Sequence, residues 1–204
     1  MQARNTWRPQ DAPGYCYLLG IYLGDGCLTV LPSGASSLIV SLDTRYPDVI
    51  DEVASAMATT LPGVTVRHLS VKESRVRVLK ASHPVLPFAF PQHGPGPKHL
   101  RPIELQPWQR SLTAARPTAL LRGLIHSDGC RVLNRFKTRL PSGRVVQYEY
   151  PRYFFSNLSA DIRRIFCDHC ELLGIRWSQS NPRNISVSRR DSVARLDEFI
   201  GPKT

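Results

Sequence analysis

The sequence predicts an α+β fold built as an internal duplication, with the element order αββαββ(α) in each half. Three features recur in the same order in the two halves of the 204-residue chain. They are an apolar helical segment that ends in Asp-Gly, a Leu-Pro-Ser-Gly turn, and a Gly-Pro-Lys tripeptide after an apolar segment. Repetition in register indicates a duplicated unit. We divide the chain into an N-terminal arm, a first half, a linker and a second half, at residues 1–13, 14–90, 91–112 and 113–204.

The elements of the first half follow from periodicity and turn residues. Apolar residues at helical spacing predict an amphipathic helix, which ends at Pro62 and Gly63. Runs of β-branched and apolar residues on either side of Pro32, Ser33 and Gly34 predict a hairpin. The predicted order is helix 15–25, strands 27–31 and 37–42, helix 48–61, strands 64–71 and 75–80, and one helical turn within 84–90.

The second half repeats this order after the linker, which is marked by a shift towards Pro, Gly, His and basic residues. Ser159 is a predicted N-cap, and Gly174 closes the same helix. The second hairpin is longer than the first, so the pseudo-symmetry is imperfect. The predicted order is helix 118–128, strands 130–140 and 144–157, helix 160–173, strands 175–180 and 184–189, and helix 193–199.

The charge of the chain indicates a polyanionic partner. The formal net charge is +11, and most of the positive charge is Arg, which suits contacts to phosphate and to guanine edges. Nucleic acid is the simplest partner of this kind, and the alternative is a generally basic, solvated surface.

Composition also bears on the compartment. Hydrophobic residues make up 42% of the chain, which argues for a folded protein rather than a disordered one. The apolar runs are too short to span a bilayer, and the polar N-terminus has no signal-like segment. The five cysteines are an odd number, which suggests reduced thiols. We therefore expect an intracellular protein that is not secreted, in the cytoplasm or nucleoid or in an organelle matrix.

The two apolar Asp-Gly segments predict a close pair of helices that carries two carboxylates. Each helix ends in an aspartate, Asp25 or Asp128, at the negative end of the helix dipole, where an acid is disfavoured. Two such carboxylates also repel each other, and a divalent cation would relieve both effects. For one segment alone, an ordinary helix cap and turn is an equally good explanation. Small residues four positions apart would let the helix backbones approach closely; they are Gly20, Gly24, Gly123 and Ser127.

Residues 18–26 and 121–129 resemble, position by position, the LAGLIDADG motif of homing endonucleases. A chain with two motifs is similar to the monomeric, pseudo-symmetric members, and the resemblance covers essentially the whole chain. It implies two antiparallel sheets that form a saddle over double-stranded DNA, with the two motif helices packed at the centre. It also implies Asp25 and Asp128 as ligands of a divalent metal, for which Mg²⁺ is our expectation, with the carbonyl groups of Gly24 and Ser127 as helpers.

The activity that the resemblance implies is site-specific hydrolysis of both DNA strands by a nuclease of a mobile genetic element. A basic residue near each metal is part of this pattern, and Lys98 and Lys203 are our candidates because they follow the two halves equivalently. Lys80, His93 and Arg189 are the alternatives. The family often has a polar residue in each returning strand, and the possible equivalents are Ser41, Asp43, Ser156 and Asn157.

Strand alternation predicts where DNA binds. Basic residues between 130 and 140 alternate with Val132, Phe136 and Leu140, which predicts an apolar face on the core and a basic face towards DNA or water. A two-stranded ribbon of this kind fits the major groove, and a merely solvated sheet face is the alternative. The predicted DNA-binding residues are Arg75, Arg77, Lys80, Arg131, Arg135, Lys137, Arg139, Arg144, Arg152 and Arg189.

Other interpretations are weaker or remain open. Cys167 and Cys170 lack a second pair at zinc-ligand spacing, so we expect them on the buried side of a helix. We expect His126 to make a packed polar contact. A DNA-binding regulator that has lost cleavage, or an RNA-binding maturase, would have the same fold. An intein-associated nuclease lacks support because no splicing-junction pattern is present.

Overall fold

The computed structural model describes residues 7–30, 34–201 and 203. Residues 1–6 of the arm, Leu31, Pro32 and Ser33 of the first hairpin, and Pro202 and Thr204 at the C-terminal end lie outside the described residues. The helices are α1 (Ala12–Gly24), α2 (Pro47–Thr60), α3 (Leu86–Ala89), α4 (Pro107–Ala114), α5 (Pro117–Asp128), α6 (Ala160–Leu172) and α7 (Arg190–Ile200). The strands are β1 (Gly26–Val30), β2 (Ser36–Asp43), β3 (Arg67–Ser70), β4 (Val76–Ser82), β5 (Gly129–Arg139), β6 (Val145–Ser156), β7 (Ser178–Asn181) and β8 (Asn184–Val187).

The two halves build the same four-stranded antiparallel sheet. The strand orders are β1-β2-β4-β3 and β5-β6-β8-β7, so the same topology is used twice. The registers agree as well, because the glycine after each motif aspartate, Gly26 or Gly129, pairs with Val40 or Phe155 of the returning strand. The predicted α+β duplication is therefore confirmed.

The motif helices α1 and α5 pack against each other at the centre of the molecule. Side chains of α1 are buried continuously from Tyr15 to Leu23, as expected for a helix surrounded by protein on all sides. A methyl group placed on Gly20 would lie 2.5 Å from the carbonyl oxygen of Leu120 and 2.7 Å from the backbone nitrogen of Leu124. The small residues thus permit backbone contact, as the sequence predicts.

Elements around the linker differ from the sequence expectation. The segment predicted as linker contains a 3₁₀ turn at Lys98–Leu100 and the helix α4, whose N-terminus is closed by a capping box between Gln106 and Gln109. Trp7, in the segment predicted as a loose arm, packs with ring centroids 5.7 Å from Tyr15 and 6.0 Å from Trp108. Helix α1 also begins earlier than predicted, at Ala12.

The predicted orientation of β5 is wrong. Cross-strand partners share a face, and Arg131 pairs with Tyr153, whose buried ring donates its hydroxyl to Asp197 of α7 at 2.6 Å. Phe155, on the same face of β6, stacks on Phe166 of α6 at a centroid distance of 4.4 Å. The basic residues of β5 therefore lie on the helix side of the sheet. The face with Val132, Phe136 and Leu140 points away from the helices.

A similar correction applies to the first sheet. Arg77 pairs with buried Leu42, so it lies on the helix side, whereas Lys80 pairs with Ile39 on the opposite side. We call the side of each sheet opposite the helices its open face. In the second sheet, the open face carries Val132, Phe136, Tyr148, Tyr150 and Arg152.

The remaining expectations about the core are met. Cys167 and Cys170 are buried on α6, as predicted. In the described part of the chain, no helix combines the length and the apolar character that a membrane crossing requires.

Candidate active site and nucleic-acid interface

The ends of α1 and α5 bring Asp25 and Asp128 together. Asp25 caps α1, and its backbone N–H donates to the carbonyl oxygen of Ile21 at 2.9 Å. Asp128 is the last residue of α5, and Gly129 caps that helix. A methyl group on Gly24 would lie 2.9 Å from Oδ2 of Asp128, so this carboxylate reaches across to the other half. The helix packing thus places the two acids side by side.

Both carboxylates are harder to ionise than in water. Burial, followed by repulsion from Asp128, raises the pKa of Asp25 to about 6, although Lys203 and Lys98 act in the opposite direction. Burial also raises the pKa of Asp128, and a hydrogen bond from Asn157 Nδ2 to Oδ2 at 2.5 Å opposes that shift. The Asp25 side chain remains accessible to water at the edge of a small cavity. A bound cation would relieve the repulsion within this pair.

Each aspartate shares a cavity with the lysine that follows the other half. Asp25 and Lys203 line a cavity of about 80 Å³, and Asp128 and Lys98 line one of about 250 Å³. The electrostatics agree, because Lys203 acts on the pKa of Asp25 more strongly than Lys98 does, while the order is reversed for Asp128. We call these cavities the Asp25 pocket and the Asp128 pocket. Each pocket therefore needs residues from both halves.

Lys98 is held by the end of α1. Its Nζ donates to the carbonyl oxygens of Tyr22, Gly24 and Gly26 at 2.5, 2.9 and 2.9 Å. Carbonyl groups at a helix C-terminus have no intrahelical partner, and the ammonium group satisfies them. Burial lowers the pKa of Lys98 to about 8, although Asp128 and Asp25 favour its charged form. The carbonyl of Gly24, a predicted metal helper, thus already accepts one hydrogen bond.

Lys203 occupies the equivalent place at the end of α5. Its Nζ contacts the carbonyl oxygens of Ser127 and Gly129 at 3.5 and 3.2 Å and lies 5.1 Å from the centre of the Tyr46 ring. Burial lowers the pKa of Lys203, and Asp25 is the strongest opposing influence. The prediction that the two lysines are equivalent agrees with these positions. The contacts of Lys203 are longer than those of Lys98.

The alternative basic residues lie elsewhere. His93 lines a neighbouring cavity together with Lys98. Lys80 lies in the middle of the open face of the first sheet, and Arg189 caps α7 and pairs with Asp191 at 3.7 Å. Within the described residues, none of these three forms a hydrogen bond or ion pair with either motif aspartate.

The polar residues of the returning strands are placed unequally. Asn157 donates to Asp128, and Ser156 lines the same pocket. In register, the first-half position of Asn157 is held by Leu42, two residues after the partner of the motif glycine. Asp43 lines the Asp25 pocket, but Arg45 holds its carboxylate at 2.6 Å, and Ser41 is exposed on the open face.

A partly buried polar network, missed by the sequence interpretation, connects the halves behind the Asp25 pocket. Nε and Nη2 of Arg122 on α5 donate to the two carboxylate oxygens of Glu52 on α2 at 2.7 and 2.8 Å. Nη1 of Arg122 donates to the carbonyl oxygens of Phe199 and Ile200, both at 2.7 Å. The only signal in the sequence is an arginine inside an apolar motif helix, where the first motif has Leu19.

His126 belongs to the same network, as the expected packed polar contact. Its Nε2 lies 3.1 Å from the carbonyl oxygen of Ile200, and its Nδ1 lies 3.0 Å from the Tyr17 hydroxyl. Because a carbonyl group only accepts, Nε2 carries the proton and Nδ1 accepts from Tyr17. Burial lowers the pKa of His126 to about 4, so the ring is neutral at physiological pH.

The predicted DNA-binding residues fall on both sides of the sheets. Lys80 and Arg152 lie on open faces, whereas the basic residues of β5 lie on the helix side, where Arg131 pairs with Asp197 and Arg135 with Glu149. Beyond Asn134 the β5–β6 hairpin extends past the helices, and its side chains are largely exposed. Arg144 lies at the exposed tip of that hairpin, Arg75 immediately precedes β4, and Arg189 caps α7.

The open face of the second sheet is aromatic rather than densely charged. Phe136 stacks on Tyr148 at a centroid distance of 5.3 Å and meets Tyr150 edge-on at 6.1 Å. Arg152 lies 4.6 Å above the Phe154 ring, and its Nη2 donates to Ser186. Flat aromatic rings beside a guanidinium group suit contacts with nucleobases.

The donor set at the helix ends fits a hard divalent cation. In the described part of the chain, no cluster of three or more His, Cys, Asp or Glu side chains could hold a metal ion. The protein thus offers two carboxylates, Asp25 and Asp128. This set suits Mg²⁺, which is commonly bound through one or two carboxylates together with substrate phosphate and water.

Solved structures of LAGLIDADG homing endonucleases share this fold. A structure of I-DmoI with DNA and Ca has a TM-score of 0.56 and 12% identity, covering 94% of this chain and 91% of that chain. I-LtrWI bound to its target DNA has a TM-score of 0.57 and 9% identity, with coverages of 94% and 82%. I-SmaMI bound to cleaved DNA has a TM-score of 0.55 and 11% identity, with coverages of 92% and 83%.

Comparison by sequence gives no further assignment, because neither a family model nor a curated protein matches the chain. The structural similarity extends over most of both chains, and it establishes the fold. Because the sequence identities are low, it establishes the fold alone. The chain therefore has the two-part, saddle-shaped LAGLIDADG fold.

Proposed function

We propose that this chain is a site-specific endonuclease that hydrolyses both strands of duplex DNA with a divalent metal, most simply Mg²⁺. The observation that carries the proposal is the arrangement of two pockets at the packed helix ends, each with one motif aspartate and one half-buried lysine. Structural ion pairs alone do not explain this arrangement, because the acids repel each other and their pKa values are raised.

Hydrolysis of a phosphodiester needs a positioned water molecule, stabilised charge on the phosphate and a stabilised leaving oxygen. A bound Mg²⁺ would supply Lewis-acid stabilisation of the phosphate and leaving oxygens. Asp25 and Asp128 would hold it, and Asn157 orients the Asp128 carboxylate through its hydrogen bond. Lys98 and Lys203 would place positive charge beside the phosphate in their respective pockets.

The pseudo-twofold arrangement would allow one chain to cleave both strands. Each pocket would serve one strand of the duplex, so a monomer suffices for a double-strand break. The Asp25 pocket lacks a counterpart of Asn157, because Leu42 holds that position. The two strands would therefore be cut at unequal rates.

The DNA would lie across the open faces, which adjoin the motif aspartates through β1 and β5. Arg152 and Lys80 would contact phosphate or base edges there, and Phe136 and Tyr148 would contact bases in the major groove. The basic residues of the extended hairpin, among them Lys137 and Arg139, are exposed and would contact the backbone at its edge.

The test begins with selection of a cleavable site from a plasmid library with randomised inserts, in the presence of Mg²⁺. A supercoiled plasmid that carries the selected site should be linearised by the unsubstituted chain, and EDTA should prevent this. Asp25→Asn and Asp128→Asn should each reduce cleavage below detection while binding to the same site is retained. Undiminished cleavage by either variant would rule out the two-carboxylate assignment.

An RNA-binding maturase is the second candidate, and the aromatic open face is the observation that favours it. Exposed rings on a sheet can stack on unpaired bases, which is a common way of recognising RNA. Competition between the selected duplex and single-stranded or stem-loop RNA for the protein separates the two candidates. Preference for the duplex supports the nuclease. Preference for RNA, together with no cleavage in Mg²⁺, supports the maturase.

A further inference from the structure

The two pocket lysines are anchored differently. Lys98 contacts three carbonyl groups, and its segment is further held by a hydrogen bond from Arg101 to the carbonyl oxygen of Gln92. Among the described residues, Lys203 makes two longer hydrogen-bond contacts and lies beside the Tyr46 ring, and it stands three residues beyond the end of α7. Because these hydrogen bonds are long, the position of Lys203 in the Asp25 pocket depends also on how the end of α7 is held.

Arg122 forms hydrogen bonds to that end of α7. Its Nη1 group bonds to the last two carbonyl oxygens of the helix, Phe199 and Ile200, and Glu52 fixes the guanidinium group from the other half of the molecule. The paired, planar donors of arginine make this three-way contact possible, and lysine could not reproduce it. Arg122 and Glu52 are each about one-third exposed, so water weakens the pair only in part.

Gly201, where the chain leaves α7, lies against the same arginine. Gly201 has a φ of +69°, which glycine adopts readily and other residues rarely do. A methyl group at Gly201 would lie 3.2 Å from Nη1 of Arg122. The chain therefore leaves α7 in direct contact with the guanidinium group, so the position of Arg122 fixes where Gly201 lies.

We propose that Arg122, held by Glu52, is a positioning residue that keeps Lys203 in the Asp25 pocket and so controls cleavage of one DNA strand. This inference rests on the proposed nuclease function for its effect on cleavage, while the placement of Lys203 can be measured without it. In the first motif helix the equivalent residue is Leu19, and Lys98 has its own anchors. The effect of Arg122 is therefore confined to one pocket.

Cleavage of a duplex with a different fluorophore on each strand tests the strand effect. Arg122→Met keeps the length of the side chain but loses its donors, and it should slow one strand by about 100-fold through misplacement of Lys203, leaving the other strand unchanged. Nicked plasmid should then accumulate. Lys203→Met should slow the same strand, and Lys98→Met should slow the opposite one. Adding Arg122→Met to Lys203→Met should produce no further loss on that strand.

The matched control is Arg195→Met, which removes an arginine from the exposed side of α7, where it pairs with Glu198. This control should leave both rates unchanged. If Arg122→Met does not fold, Gly201→Ala keeps the arginine but strains the turn against it, and it should give the same strand bias. Equal slowing of both strands by the folded variants, or slowing of the strand that Lys98→Met affects, would overturn the proposal.

Amine labelling with acetic anhydride, followed by mass spectrometry, measures the position of Lys203 without any cleavage. Lys203 should be labelled several-fold faster in Arg122→Met than in the unsubstituted chain, while Lys98 should be labelled at the same rate in both. If this shift is seen but the unsubstituted chain cuts no DNA, the nuclease proposal fails and the positioning role stands. An unchanged labelling rate of Lys203 overturns the positioning role.

Discussion

At the scale of single residues, the ionised form of the motif aspartate Asp25 carries an electrostatic cost in the folded protein. The pKa of Asp25 is raised to about 6, so folding favours its protonated form. At low pH, Asp25 is protonated and costs the folded protein no stability. As the pH rises from the ordinary Asp pKa of roughly 4 to about 6, ionisation of Asp25 lowers the free energy of unfolding, which stays lower at higher pH.

Asp25→Asn should therefore raise the melting temperature at pH 7.5 in EDTA and leave it nearly unchanged at pH 4. The gain should be well below the roughly 1.4 kcal/mol per pKa unit of a fully shielded group, because water reaches the Asp25 side chain. Thermal unfolding at the two pH values checks this. Asp191→Asn is the control, since its exposed carboxylate has a lowered pKa, and it should not stabilise the protein at pH 7.5. Added Mg²⁺ should stabilise only the chain with both aspartates.

The sequence predicts those site residues that stand at positions repeated in the two halves, and it does not predict those that depend on contacts between distant elements. Asp25, Asp128, Lys98 and Lys203 stand at repeated positions, so the duplication alone pairs them. Arg122 could not be interpreted in this way, because its partners Glu52, Phe199 and Ile200 come from elements about 70 residues away. A charged residue in an apolar helix signals a buried partner but does not identify it.

At the scale of elements, the close contact between α1 and α5 depends on glycine at two facing positions. Gly20→Ala would bring a methyl group within 3 Å of backbone atoms of α5, which cannot move as a side chain can. We expect a loss of about 1–3 kcal/mol in the free energy of unfolding, together with loss of cleavage, because the helix ends would separate. Denaturant unfolding and plasmid cleavage measure the two effects.

Gly94→Ala is the matched control for this helix-pair prediction. Its new methyl group would meet only the Arg101 side chain, at an ordinary distance of 3.4 Å. Stability and cleavage should both stay near those of the unsubstituted chain. A Gly20→Ala protein with normal stability would show that the helix contact is more adaptable than its geometry indicates.

The elements themselves were predicted with few errors, and the exceptions have physical causes. Hairpins and amphipathic helices follow from periodicity, which is a local property of the chain. The prolines around helix α4 lead the sequence analysis to assign most of this segment to the linker. Pro107 at its start and the Gln106–Gln109 capping box are nevertheless helix signals. The face of β5 could not be read from alternation, because a period of two does not say which side the helices cover.

At the scale of the whole molecule, net charge is a poor guide to the DNA surface. Arg131 lies on the helix side and is paired with Asp197 through two hydrogen bonds, so its charge is already neutralised within the protein. Arg152 lies on the open face and has no acidic partner among the described residues. The charge that is free to bind DNA is thus smaller, and placed differently, than the total of +11 suggests.

Arg152→Met should consequently weaken binding to the selected duplex and reduce the salt dependence of log K by about one unit if it contacts phosphate. Arg131→Met should change binding little and instead lower thermal stability, because it removes the ionic partner of Asp197 and leaves the hydrogen bond from Tyr153. Fluorescence anisotropy titrations at several salt concentrations measure the first effect. A larger binding loss from Arg131→Met than from Arg152→Met would place the DNA on the helix side of the sheet.

Because of the crossed composition of the two pockets, the proposed cleavage would require both halves to be folded and packed together. Asp25 shares a pocket with Lys203, and Asp128 shares one with Lys98, so each pocket is lined by residues from both halves of the chain. Under the proposed nuclease function, a fragment that carries one motif would have an acid without the lysine of its pocket and should not nick DNA. If the two halves were expressed as separate fragments, the proposed cleavage should appear only when both fragments are present and assembled.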